Sequence, residues 1–192
     1  MLFVETERLR LRAFEKRDVP RYAELIGDWE VTRWMSRVPY PYSLPDAEEW
    51  LAKMEVSYIN GKPELYLIAD KKNNELMGAV SVRPPRVPDP LPGESVLGYW
   101  LGKPYWGQGF MSEAVNAALK LFFAQPEITV ITATTDPANT ASQRVLYKAG
   151  LHFLGVHPRI EETLRGSPDV TCWALPRSAY ERSQIDTECS CD

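Results

Sequence analysis

Histidine and cysteine are scarce: two of the first, and three of the second (Cys172, Cys189 and Cys191), in 192 residues. Cys189 and Cys191 stand two apart in a polar, acidic stretch, with no other Cys or His beside them to complete a zinc set, so no metal site is expected. So few thiols suit a reducing compartment better than a disulfide framework. Long apolar runs are missing too, and no segment approaches the ~20 apolar residues needed to cross a bilayer. The opening residues, Met1 to Arg8, lack the basic start and apolar centre of a secretion signal. The expectation is a soluble, cytoplasmic protein with no membrane partner. Positive charge is not in excess, because 22 Lys and Arg face 26 Asp and Glu for a net charge of −4. That balance argues against a protein that works directly on nucleic acid backbones. No Gly-Lys-Ser or Gly-Lys-Thr follows Gly107 and Gly109, which removes a P-loop nucleotide site.

What remains is an ordinary globular composition, 44% hydrophobic and 25% charged, with enough chain to bury a core. One domain is expected over residues 1–182, with a frayed polar tail over 183–192. Arg8-Leu9-Arg10-Leu11-Arg12 alternates with period two and predicts a strand with a solvated basic face. Asp18-Val19-Pro20 then starts a short helix. From Asp28 to Tyr42 the spaced prolines Pro39 and Pro41 predict an extended, irregular path rather than a helix. Its aromatics, Trp29, Trp34, Tyr40 and Tyr42, serve either core packing or the wall of an acceptor groove. A helix follows from Ser43, burying Leu51 and Met54 and stopping at Gly61.

Runs at 64–70 and 76–82, joined through Asn73-Asn74, predict a hairpin. Five prolines between Pro84 and Pro92 make a stiff loop that projects beside the site or toward a partner. A strand over 95–101 and a helix from Phe110 come next. A β-branched strand over 129–134 and a helix from Asn139 to Gly150 follow, and two closing strands end the pattern. The order β-α-α-β-β-β-α-β-α-β-β predicts an α+β fold with about seven strands and about four helices.

Chemistry concentrates between Gly98 and Ala114. A strand there breaks at Gly102 and Pro104, passes through Trp106-Gly107-Gln108-Gly109, and enters a helix. Glycines at such a junction let backbone N–H groups approach a ligand closely. The helix start adds unpaired donors and partial positive charge, which suits a phosphate or pyrophosphate.

Three pieces, in this order along the chain, resemble the GNAT superfamily of acetyl-CoA-dependent N-acetyltransferases, and within it the ribosomal-protein N-terminal acetyltransferases of RimJ/RimL type. They are Thr6-Glu7-Arg8-Leu9-Arg10-Leu11-Arg12, then Gly98-Tyr99-Trp100-Leu101 with Tyr105 to Ala114, then Asn139-Thr140-Ala141-Ser142-Gln143-Arg144-Val145-Leu146. The resemblance spans roughly residues 3–182. It implies a splayed mixed sheet in which Tyr99, Trp100 and Leu101 offer backbone groups to the pantetheine arm of acetyl-CoA. It further implies that the backbone of Gln108, Gly109, Phe110, Met111 and Ser112 cradles the pyrophosphate, with Asn139 and Ser142 completing the cofactor site. No metal enters this scheme. Met111 replaces a small residue of the superfamily's loop, yet in a first helical turn its side chain can face the core while its N–H faces the phosphate.

The reaction implied is direct attack of a primary amine on the thioester, through a tetrahedral intermediate, with no covalent enzyme intermediate. The amine is a protein N-terminus, possibly ribosomal, or a small molecule. Many members of the superfamily carry a tyrosine acid where this chain has Leu146. Tyr147 is adjacent, and the related branch places a serine at Ser142, leaving Ser142 as relay, Tyr147 as acid, or no dedicated acid. The branch's base, a glutamate, is replaced by Val96; Glu94, Glu161 and Glu162 are the nearby carboxylates. His152 and His157 lie on a closing strand without an evident partner, and Glu113 reads as complementing the helix dipole. These losses keep open an alternative, an acyl-CoA-binding sensor or partner module without turnover. The resemblance leaves monomer or homodimer undecided.

Overall fold

The computed structural model describes residues 3–59, 63–85, 87, 89–160 and 164–189. Gly61, Glu161, Glu162 and Cys191 lie outside the described residues.

The alternation at the start of the chain makes β2 (Leu9–Arg12), whose Leu9 and Leu11 are fully buried. A short β1 (Phe3–Glu5) pairs with it antiparallel. This strand is the eighth, against about seven expected, because three residues are too few to show a period. The alternation predicted a solvated basic face on β2, but that face is not all solvated. Arg12 is 6% exposed and binds Asp18 in a bidentate pair, Nη1 to Oδ2 at 2.7 Å and Nη2 to Oδ1 at 2.8 Å. Helices cover that side of the sheet as well, so a polar stripe there has to be paired.

Helices α1 (Val19–Gly27), α2 (Trp29–Thr32) and α3 (Leu44–Ile59) follow, and then β3 (Leu65–Asp70), β4 (Leu76–Arg83) and β5 (Glu94–Leu101). The hairpin turn between β3 and β4 holds Asn74 at φ 60°, a conformation Asn tolerates. The one-turn α2 departs from the irregular path expected of residues 28–42. Asp28 caps it, accepting the Glu30 N–H at 2.9 Å, and the prolines fall after it. Next come α4 (Phe110–Phe123), β6 (Val130–Thr135), α5 (Thr140–Lys148), β7 (His152–Pro158), β8 (Asp169–Pro176) and α6 (Arg177–Cys189).

Helix α6 replaces the expected frayed tail as far as Cys189. Its first residue, Arg177, donates to the carbonyls of Phe123, Gln125 and Ile128, and Tyr180 stacks on Phe123 with centroids 4.6 Å apart. Two anchoring residues hold the helix, too few to register as an apolar face in sequence.

The eight strands run β1-β2-β3-β4-β5-β6-β8-β7, all antiparallel except β5 with β6. One core lies under α4 and α5, built on Leu9, Ile68, Leu97, Phe122 and Ile131. The other lies under α1 and α3, around Tyr22, Leu51, Leu67 and Trp100. Strands β5 and β6 pair only at Glu94–Val96 against Val130–Thr132. Beyond that β5 stays on β4 and β6 stays on β8, so the sheet opens.

Candidate active site

The opening between β5 and β6 is the mouth of a cleft of about 1720 Å³. Its orientation follows from the ladder. The Gly102 N–H donates to the Met77 carbonyl at 2.8 Å, in register with Gly78 opposite Leu101. Antiparallel partners alternate between bonded and unbonded, so Trp100 bonds toward Ala79 while the backbone groups of Tyr99 and Leu101 turn toward the opening. The Leu101 carbonyl confirms this direction, because it accepts the Trp106 indole N–H at 2.6 Å. Backbone donors on β5 are therefore Tyr99 and Leu101. Trp100, expected to share the role, has its backbone committed to β4 and its indole edge-on to Tyr22 at 5.0 Å.

Past a 3-10 turn at Lys103–Tyr105 the chain reaches the glycines. Gly107 (φ 74°) and Gly109 (φ 80°) both adopt the left-handed conformation that side chains disfavour. Gly109 is the N-cap of α4 and supplies no side-chain cap, which leaves the first helical N–H groups, from Phe110 to Ser112, for a ligand. A Cβ on Gly107 would meet nothing within 4 Å, so the space beside it is open. Met111 packs against the core as expected. This junction has the open backbone and free donors that a pyrophosphate requires.

Arg8 and Glu113 brace it. Arg8 donates to the Gln108 carbonyl at 3.0 Å, lies 4.4 Å from the Phe110 ring centroid, and pairs with Glu113. Burial acts to raise the Glu113 carboxyl, but bonds from the Thr6 hydroxyl, the Arg8 N–H and the Arg8 guanidinium outweigh it and hold the group below the ordinary carboxylate range. Beyond complementing the helix dipole, Glu113 thus holds the Thr6–Arg8 turn against α4.

On the far wall α5 begins at Asn139, whose Oδ1 accepts the Ser142 N–H at 3.1 Å. The Ser142 hydroxyl lies 2.9 Å from the Tyr99 phenol, which also lies 3.1 Å from the Ser142 carbonyl. The resemblance implies a role for the Tyr99 backbone alone; the signal for its side chain is its odd register on β5, shared with Leu97 and Leu101, which faces α5. Burial pushes its phenol well above the ordinary tyrosine value, so it is a neutral donor. Tyr147 does not reach the cleft. It is 75% exposed, while Leu146 beside it is buried, because one residue rotates a helical side chain by about 100°.

Glu94 does line the cleft, and its oxygens are occupied: Oε1 accepts the Thr132 hydroxyl at 2.8 Å and Oε2 the Leu91 N–H at 3.0 Å. It shares a face with Val96, about 7 Å farther from the opening at the usual strand rise. The proline-rich loop runs beside the site, contributing Pro85, Val87 and Leu91 to its lining. His157 also lines it, on the edge strand β7, 3.4 Å from the Leu154 carbonyl. Trp34 and Tyr42 form part of the wall, while Trp29 and Tyr40 lie outside it with their rings tilted against each other, centroids 4.8 Å apart. Two loops meet along the lining of the cleft. The Leu164 N–H donates to the Ser36 carbonyl at 2.7 Å, and Arg165 to the carbonyls of Met35 and Val38. Among the described residues no group of three or more His, Cys, Asp and Glu could hold a metal, and no helix is long and apolar enough to cross a membrane.

A family model described as an acetyltransferase (GNAT) domain matches residues 8–152, most of the chain and all of the cleft elements from β2 to α5. The chain belongs to the GNAT acetyltransferases. Among curated proteins it is 27% identical over 175 residues to an "Uncharacterized N-acetyltransferase p20" of Bacillus licheniformis, covering 91% of this chain and 96% of that one. Among solved structures, the ribosomal-protein-S5-alanine acetyltransferase of Vibrio fischeri superposes with a TM-score of 0.76 at 18% identity, covering 92% of this chain and 97% of that one. RimL, a ribosomal L7/L12 α-N-protein acetyltransferase solved with coenzyme A, gives 0.74 at 20%, covering 92% and 99%. At such identities the superpositions speak for the fold. The GNAT protein described here is an N-acetyltransferase that uses acetyl-CoA.

Proposed function

We propose that this GNAT enzyme acetylates an amine of low basicity, with a protein N-terminal α-amine as the favoured acceptor. The observation that carries this reading is the state of the carboxylates lining the cleft. Among the described residues, Glu30 pairs with Arg33, Asp46 with Ser43, and Glu49 with Lys53. Asp136 accepts from Ala138 and Ser167, and Glu94 is held by Thr132 and Leu91. Each carboxylate in reach thus has a partner already, and Val96 stands where the resemblance placed a base.

An acceptor that must be stripped of a proton before attack suits such a site poorly. An α-amine of pKa about 7.7–8.0 is neutral in roughly one molecule in ten at pH 7, against roughly one in two thousand for a lysine of pKa about 10.4. Only modest help is then needed, which solvent water would supply without a dedicated carboxylate. Tyr99 and Leu101 N–H groups would hold the pantetheine arm and thioester, and the backbone from Gln108 to Ser112 the pyrophosphate. The Ser142 hydroxyl would face the leaving sulfur. The acidic balance of the chain favours a basic acceptor, which a ribosomal protein would be.

The test is thiol release from acetyl-CoA with unblocked Ser- and Ala-initiated peptides, their Nα-blocked lysine counterparts and small primary amines, over pH 6–9. Unblocked peptides are expected to react fastest near pH 7. Faster turnover of the blocked lysine peptides would overturn the α-amine reading. Tight acetyl-CoA binding with no release for any amine would overturn turnover itself.

A further inference from the structure

Resting on that reading of Ser142, we infer that Tyr99 is a positioning residue for the transfer, which sets the direction in which the Ser142 hydroxyl donates. Two elements far apart in sequence make this contact. Tyr99 extends from β5 through the register that faces α5, and its oxygen ends 2.9 Å from Ser142 Oγ and 3.1 Å from the Ser142 carbonyl. Asn139 fixes the other side, because its Oδ1 takes the Ser142 N–H at 3.1 Å and holds this turn of α5 in place.

A phenol has one hydrogen and a serine hydroxyl another, so the pair has two arrangements. In one, Tyr99 donates to the Ser142 carbonyl and Ser142 donates back to Tyr99, leaving no hydrogen for a ligand. In the other, Tyr99 donates to Ser142 Oγ, and the Ser142 hydrogen is released to the cleft. Negative charge building on a sulfur beside Ser142 selects the second, since it alone offers that charge a donor. Burial keeps the phenol neutral, so it stays a donor at every working pH.

The balance of the step is simple. The nitrogen lone pair of the neutral amine forms the C–N bond, and the C–S bond breaks with its electron pair moving to sulfur. Nitrogen gives one proton to solvent water. Sulfur receives one through the Ser142 hydroxyl, which is resupplied from solvent. Tyr99 keeps its own proton throughout and acts through Ser142.

Four forms of the enzyme test this: wild type, Tyr99→Phe, Ser142→Ala and the double variant. The readout is thiol release with the fastest unblocked peptide and with the fastest small amine of the panel above. Ser142→Ala is expected to lower kcat. Tyr99→Phe, which keeps the ring, is expected to lower kcat by about three- to tenfold, the weight of one hydrogen bond, with KM for acetyl-CoA within about twofold. In the Ser142→Ala background the Tyr99→Phe change should then do nothing further. Losses that multiply, or a Tyr99→Phe enzyme with full kcat beside an impaired Ser142→Ala enzyme, would overturn the positioning role while leaving Ser142 in place. An unimpaired Ser142→Ala enzyme would instead overturn the reading beneath it. Should Tyr99→Phe lose thermal stability, 3-fluorotyrosine at position 99 decides the matter: it keeps the ring and the hydroxyl but makes the phenol a stronger donor, and it should change kcat with Ser142 present and not in the Ser142→Ala background, an equal change in both overturning the positioning role.

Discussion

Arg8, in the turn before β2, grips Glu113 in the first turns of α4, with Nε at 2.7 Å from Oε2 and Nη2 at 2.6 Å from the same oxygen. The pair joins the start of the chain to the helix whose N-terminus is the proposed pyrophosphate seat. Replacing Glu113 by Gln should therefore raise KM for acetyl-CoA several-fold while leaving kcat nearly unchanged, as steady-state kinetics would show. It should also alter the acid limb of stability. The folded carboxyl is held below its ordinary value, so its contribution is present above the unfolded pKa of about 4.3 and is lost as pH falls through the folded value. The gap in melting temperature between wild type and Glu113→Gln should thus narrow from pH 6 to pH 3. A gap that widened would contradict the clamp.

Gly109→Asp should abolish acetyl-CoA binding. It places a carboxylate at the N-cap of α4, at φ 80°, where the phosphate would lie, and its Cβ would sit 3.5 Å from Arg8. Gly107→Ala is the control, because its Cβ meets nothing within 4 Å and carries only the left-handed backbone cost, about 1–2 kcal/mol. Calorimetry should then show binding lost in the first variant and retained in the second. Equal affinity in both would remove the glycine junction from cofactor binding.

The Arg12–Asp18 pair joins β2 to the turn just before α1, with both side chains nearly buried, and the Arg12 Nε donates to the Asn74 side-chain oxygen at 2.9 Å. Asp18→Ala would leave a buried guanidinium without its carboxylate, at a cost of about 3–5 kcal/mol. Urea unfolding measures this directly. A loss under about 1 kcal/mol would mean that water reaches Arg12 and the site is not closed.

Arg165 ties the loop before β8 to the loop after α2, through the carbonyls of Met35 and Val38. Trp34 lies on the linked segment and lines the cleft. For Arg165→Ala we expect a higher KM for the amine with KM for acetyl-CoA unchanged, since the contact joins loops outside β5, the Gly107–Gly109 junction and α5, where acetyl-CoA is proposed to bind. An effect confined to acetyl-CoA would place the linkage elsewhere in the cycle.

The strand-to-helix junction was legible because its signals are local. Gly107, Gly109 and the start of α4 are consecutive, and the strand-to-helix junction can be read from spacing alone. The hairpin at Asn73-Asn74 and the Gly150 helix stop were legible for the same reason. What escaped was long-range. Arg12 looked solvated because its partner, Asp18, arrives from the next element, and α6 looked frayed because Arg177 and Tyr180 are anchored by α4. The direction of the Trp100 backbone depended on strand register, which turns on pairings a single strand does not reveal. Tyr99 and Ser142 stand 43 residues apart and meet only when the sheet and α5 are both in place.

Three pairs of residues, Glu94–Val96 against Val130–Thr132, are all that join the two halves of the sheet as neighbouring strands. Farther along, the outward backbone groups of β5 have no strand to bond. Any molecule lying there and bonding to Tyr99 and Leu101 would act as missing rungs of the ladder, knitting the halves together. Saturating ligand should accordingly slow hydrogen exchange at those two amides and lift the melting temperature of the whole fold, so that the enzyme is a more cohesive object when loaded than when empty.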